Sequence, residues 1–140
     1  MKHTLLFLLM ICACTLQATA TGKQPRLTDD ELMTLVQKQT FRYFWDFAHP
    51  ESGLARERSN DRLEIATIGG SGFGVMAIIV GVERGFITRE QGAERLLKIV
   101  EFLNKADSYH GIWAHWMDGA TGKTIPFSRK DDGADLVESA

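Results

Sequence analysis

The run "GFGVMAIIVGVER", residues 72–84, is apolar almost all the way round a helical projection. A helix of that kind has to be covered on every side. The chain is therefore expected to fold in layers, with this helix inside and others packed over it. Gly85 follows it directly and is placed to close it in the left-handed conformation that ends many helices.

The covering helices announce themselves by their starts. Thr28 with Glu31 and Thr88 with Gln91 are two capping boxes, in which each side chain satisfies the other residue's free backbone N–H. After the first, Leu32, Leu35, Val36, Tyr43 and Phe47 recur on one face, and His49-Pro50 ends the helix because a residue before proline disfavours helical backbone. After the second, Ala93, Leu96, Leu97, Val100 and Leu103 make an amphipathic helix to about Ala106. Between the first helix and the apolar one lies "PESGLARERSNDRLEIATIGGSG", polar and glycine-rich, a connection long enough to be functional or mobile. "GIWAHWMDGATGKTIPF", residues 111–127, reads as two short extended runs about the turn "DGATG", a small hairpin. A fourth helix is expected to begin around Gly133 or Ala134. No glycine, proline or cationic last turn closes it before Ala140, so the sequence predicts a chain truncated within that helix.

Residues 1–20, "MKHTLLFLLMICACTLQATA", have a short basic start and an apolar run, the pattern of an export signal. The run is shorter than the roughly 20 residues a membrane crossing needs. Two processing readings stand: ordinary cleavage after Ala18-Thr19-Ala20, or lipidation of Cys14 in the lipobox-like Ile11-Cys12-Ala13-Cys14. The expectation is an exported protein of the bacterial periplasm or an outer-membrane lipoprotein, touching membrane only through such an anchor. Residues 21–27 read as a polar linker and 28–140 as the folded part. A composition 44% apolar and 24% charged is globular, and a net charge of −2 without a basic stripe gives a nucleic-acid partner no electrostatic support.

Several motifs carry little. "GFGVMA" matches the glycine pattern of a dinucleotide turn, but the preceding "LEIATI" is a poor buried strand and no βαβ unit follows. "GATGKT" is too short between its glycines for a phosphate-binding loop. His110, His115 and Asp118 match no common metal-ligand spacing, so neither a metal nor a cofactor is expected. Trp113, His115 and Trp116 offer the aromatic faces and polar edges that meet sugar rings, with core packing of the two tryptophans an equal alternative.

The acids of "DDGADLVESA" are the strongest chemical feature. On a helix, Asp131, Asp135 and Glu138 project from one side. Acids favoured by the helix dipole in a first turn account for Asp131, Asp132 and even Asp135, but poorly for Glu138.

Four blocks, "FRYFWDFAHPESGLARERS", "ATIGGSGFGVMAIIVGVERGFITREQ", "GIWAHWMDGATGKTIPF" and "DDGADLVESA", together closely resemble the N-terminal part of the bacterial glucoamylase-like proteins, the β-1,2-glucanases of glycoside hydrolase family 144. The resemblance implies an (α/α)6 barrel, all-α apart from the hairpin, of which the four helices here are the first third. It implies an endo-acting, inverting glycosidase for β-1,2-glucan polysaccharide or oligosaccharide. The alternative is a non-catalytic glycan-binding surface lipoprotein. Asp131, Asp135 and Glu138 match the family's catalytic acids, a further essential acid is expected beyond Ala140, and Trp113, His115, Trp116 and Asp132 form the expected substrate-binding set. An inverting pair stands about 6.5–9.5 Å apart to admit water, so neighbours in one stripe are not both members of it.

Overall fold

The computed structural model describes residues 26–60 and 63–140. The expected export signal, Cys14 and linker residues 21–25 lie outside them. Helix α1 spans Asp29–Trp45, α2 Ile68–Glu83, α3 Arg89–Leu103 and the short α4 Leu136–Ser139. Both predicted capping boxes form, Thr28 with Glu31 and Thr88 with Gln91. Gly85, at φ +68°, ends α2 as expected.

Helix α2 lies between α1 and α3, and glycines set how close each approaches. A Cβ built on Gly81 would sit 2.4 Å from Phe41 Cε2, and one on Gly74 3.3 Å from Phe44 Cδ1, so the aromatic face of α1 rests directly on α2 backbone. Phe41 then stacks on Trp45 and tilts against Phe86, each at 5.7 Å between ring centroids. On the other flank, a Cβ on Gly92 of α3 would lie 2.8 Å from Val82 Cγ2. The buried core, Phe41, Leu54, Ala66, Ile68, Ile78, Ile87, Ile99 and Met117, collects along this seam.

Two expectations about these helices are corrected. Helix α2 is not buried on every side: Phe73, Met76, Ile79 and Val80 are exposed, Phe73 by 68%. Two flanking helices and one short turn cover only part of an all-round apolar surface. The periodic face of α1 is likewise not its buried face, because Leu32, Leu35 and Val36 are exposed while Phe41 is inside. Periodicity marks every apolar stripe, and here the aromatic stripe meets α2. Leu97 and Val100 of α3 are also exposed, with Ile99 buried in their place.

The connection from 50 to 67 carries a strand that the sequence did not announce. Strand β1, Ile65–Thr67, is buried at all three positions, against the reading of "LEIATI" as a poor strand. It pairs antiparallel with β4 (Trp116–Asp118), which pairs with β5 (Thr124–Ile125) about the predicted "DGATG" turn. A second hairpin, β2 (Ser108–Tyr109) with β3 (Ile112–Trp113), turns at His110 and Gly111, both at positive φ, 52° and 82°. Two residues of that handedness match the right-handed twist of a tight hairpin. Strand β1 runs straight into α2, and Ser71 Oγ locks the junction by donating to Thr67 O (2.6 Å) and accepting from Ala55 N (3.0 Å).

Overpacking the closest seam tests this account. Gly81→Ala inserts a methyl into the Phe41 ring and is expected to cost about 1–3 kcal/mol, read as a lower midpoint in urea. An unchanged midpoint would show that α1 does not sit on α2 backbone.

Candidate functional site

The acids are brought together by strand backbone. Asp135 N donates to Trp113 O at 2.7 Å, and Ala134 bridges Ala114. Ser139 Oγ reaches the same strand residue, accepting from Trp113 N (3.1 Å) and donating to Trp113 O (3.3 Å). Residues 134–139 are thus strapped along β3, next to the start of α2, where Ile68 N donates to His115 O at 3.2 Å. Asp131 sits in a tight reversal, exchanging backbone hydrogen bonds with Ser128, and its carbonyl also accepts from Phe127 N at 2.9 Å.

This corrects the helical stripe. Helix α4 begins at Leu136, so Asp131 and Asp132 precede it and Asp135 is its N-cap, in extended backbone at φ −110°, ψ 106°. Of the three acids only Glu138 is helical. Asp135 Oδ1 accepts from Val137 N and Glu138 N, each at 3.0 Å, which satisfies two of the free N–H groups of the first turn. Its other oxygen, Oδ2, pairs with His115 Nδ1 at 3.0 Å. Hydrogen bonding from Glu138 N–H, then from the His115 ring, lowers the Asp135 pKa from the ordinary carboxylate value. Asp135 is therefore an anion throughout the neutral range.

Glu138 is half-buried, with its carboxylate against Gly69 in the first turn of α2. Beside it opens a groove of about 400 Å³, lined by Gly69, Phe73, Met76, Val137 and Glu138 among others. The catalytic candidates are thus split between this groove and the Asp131–Asp135–His115 group.

The candidate sugar contacts also divide. His115 is half-buried and lies 4.3 Å, centroid to centroid, from Phe127, which tilts at 4.7 Å against Trp116. Phe127, 46% exposed, is a candidate platform that sequence reasoning missed. Its signal, an aromatic after a proline at the end of the hairpin, reads equally as strand. Trp113 packs partly buried against the core and its indole N–H donates to Leu103 O at 3.2 Å, which ties α3 to β3. That is the packing alternative for Trp113. Asp132 is exposed beside the group.

Among the described residues, His115, Asp131 and Asp135 bring one ligand atom each within 4.8 Å of one another. Both Asp135 oxygens are already engaged, one with the α4 amides and one with His115, so capping and pairing account for the grouping. Asp118 stands apart in the hairpin turn, bonded to Ala120 N and Thr121.

A pH dependence follows from the Asp135 contacts. A lowered folded pKa contributes stability that is fully present above the unfolded value, about 3.9, and is lost as pH falls through the folded one. Protection of the Val137 and Glu138 amides against hydrogen exchange, relative to an unstructured amide at the same pH, is expected to hold near neutrality and to fall as pH drops through the lowered Asp135 pKa. Asp135→Ala, which removes the cap at a typical cost of about 1 kcal/mol, abolishes that protection at every pH. Protection in the variant equal to the parent's would sink the capping assignment.

No family model matches the chain. Over 115 residues it is 54% identical to the exo β-1,2-glucooligosaccharide sophorohydrolase (non-reducing end) of Parabacteroides distasonis, covering 81% of this chain and 16% of that protein. The endo-β-1,2-glucanase of Chitinophaga pinensis, solved with sophorotriose and glucose, matches with a TM-score of 0.78 at 55% identity, over 81% of this chain and 29% of that one. A provisionally named glucoamylase of Bacteroides uniformis is 83% identical with a TM-score of 0.79, over 81% of this chain and 28% of that one. The chain spans 16–29% of the length of these relatives. Its helices are part of an α/α barrel. Over the 81% that these matches cover, the chain is homologous to part of the bacterial β-1,2-glucanases, the glucoamylase-like group that its four sequence blocks resemble.

Proposed function

We propose that the protein hydrolyses β-1,2-glucan, as an endo-acting, inverting glycosidase, and that Asp131, Asp135 and Glu138 belong to its acid–base machinery. The observation that carries this reading is the carboxylate arrangement: Asp135 fixed as an anion by His115 and two backbone amides, with Glu138 one turn away on a groove. Identity of 54–55% to proteins named for β-1,2-glucan hydrolysis supports the substrate class.

Inverting hydrolysis needs one carboxyl group to protonate the leaving oxygen and another to activate water on the opposite face of the sugar. Asp135 suits the ionised role, because a group held below its ordinary pKa by three hydrogen bonds is a poor proton donor at neutrality. Asp131 and Asp135, with ligand atoms within 4.8 Å, stand closer than an inverting pair, so one of them serves to hold water or sugar. His115 and Phe127 present an aromatic and polar edge next to these acids for the sugar ring, while Trp116, 8% exposed, packs behind Phe127 and supports it.

Single replacements Asp131→Asn, Asp135→Asn and Glu138→Gln, in the natural-length protein, are expected to lower kcat on linear β-1,2-glucan. The loss at an acid or base is about 100-fold or more. Product lengths over time separate endo from exo attack. Turnover that survives all three replacements would overturn the catalytic reading, and glucan binding without any product would favour the surface glycan-binder instead.

Export is the second part of the proposal. The pattern of residues 1–20 supports it, and the mature N-terminus distinguishes its two forms. Mass spectrometry is expected to find either a chain beginning at Thr21 or an acylated Cys14. An intact Met1 on the protein in its host would refute export by this signal.

A further inference from the structure

We infer that Gly69 is a positioning residue, kept without a side chain so that the Glu138 carboxylate can lie on the first turn of α2. The inference rests on the reading of Glu138 as part of the catalytic set. A Cβ built on Gly69 would lie 1.8 Å from Glu138 Oε2, 2.6 Å from Cδ and 3.1 Å from Oε1. All three nearest atoms belong to that one carboxylate. Nothing else asks for glycine there. Gly69 is not among the residues at positive φ, so any L-residue fits its backbone. Its neighbour Gly70 differs, since a Cβ there would meet Thr67 Cγ2 at 2.6 Å within the β1–α2 junction.

The end of α2 is also prepared for an anion. Its N-cap, Thr67, makes no side-chain capping bond, and its first turn holds no acid. Ile68 N is taken by His115 O, but the next first-turn N–H groups have no partner within the helix and the positive end of the dipole lies here. Glu138, 69 positions later in the sequence, brings a carboxylate there from another element, and the missing Cβ lets it approach the backbone. Two glycines in succession at positions 69 and 70 weaken a helix start. At Gly69 the compensation is the seat of the acid.

The obstruction would be the far end of a flexible side chain, so a methyl at 69 can be accommodated by moving the carboxylate rather than the fold. Gly69→Ala in the natural-length protein is therefore expected to keep or raise Tm, since alanine favours helix, while kcat falls about 100-fold with KM little changed, as for a misplaced reacting group. In a Glu138→Gln background the same change is expected to remove nothing further, because residues acting as one unit are not additive. Loss of turnover in Glu138→Gln with full turnover in Gly69→Ala overturns the inference and leaves the proposed function standing. Full turnover in Glu138→Gln sinks that reading of Glu138, and the inference with it. An equal fall from Gly69→Ala in both backgrounds also overturns it, since Gly69 would then act elsewhere. If Gly69→Ala destabilises the protein, Glu138→Ala added to it is expected to restore Tm by removing the obstructing carboxylate. A Tm loss that persists in the double variant refutes the contact.

Discussion

The backbone from Trp113 to Trp116 is the strip on which the rest of the structure hangs. Its N–H and C=O groups hold Asp135 and Ser139 on one side, the first residue of α2 on another, and strands β1 and β5 through Trp116. Each bond is modest alone, about 1 kcal/mol net. Their effect is geometric: one strip of extended chain decides where a helix begins and where two acids stop. The Trp113 indole adds the C-terminal carbonyl region of α3 to the same strip, through Leu103 O.

A strip of backbone can organise helices only if they can come close, and the glycines of α2 provide that. Gly74 and Gly81 admit the rings of Phe44 and Phe41, so α1 packs by aromatic faces on bare backbone. The same helix carries Phe73 and Met76 outward beside the groove that holds Glu138. Close packing on one face and open apolar surface on another are both consequences of a helix that is apolar all round.

How much of this was legible in the sequence depends on the range of the signal. Capping boxes at Thr28 and Thr88, the glycine stop at Gly85 and the "DGATG" turn are local, and each was readable. Strand β1 was not, because three buried residues, Ile65–Thr67, have no alternation to show and are defined by pairing with β4 some fifty positions later. The acids were the right residues placed on the wrong element. Asp131, Asp135 and Glu138 fit a helical spacing, but Asp135 is an N-cap with Glu138 three positions on, a start signal that the same letters also spell. A spacing of four cannot separate one helix face from a turn followed by a cap; the bridges from Ser128 to Asp131 and from Ala114 to Ala134 decide it. Gly69 has no local signal that points to its role, and that of Phe127, an aromatic after a proline, reads equally as strand. Their places follow from what lies across the fold.

Moving the acids off a common helix face changes what they can share. On one stripe their carboxylates would be equivalent neighbours, each perturbed by the next. In the structure Asp135 is held by two amides and an imidazole, while among the described residues no hydrogen bond reaches the Glu138 carboxylate, which rests on Gly69 at the mouth of a groove. A carboxylate held by bonds that favour its charged form is a poor proton donor, so it suits the ionised partner and not the acid. In the proposed reaction this assigns fixity to Asp135 and freedom to Glu138, and two carboxylates in contrasting surroundings are what a divided acid–base task requires. The division arises from one change of chain direction: Asp135, bonded to β3, caps α4, so its side chain turns back to the amides while Glu138, one turn later, faces α2.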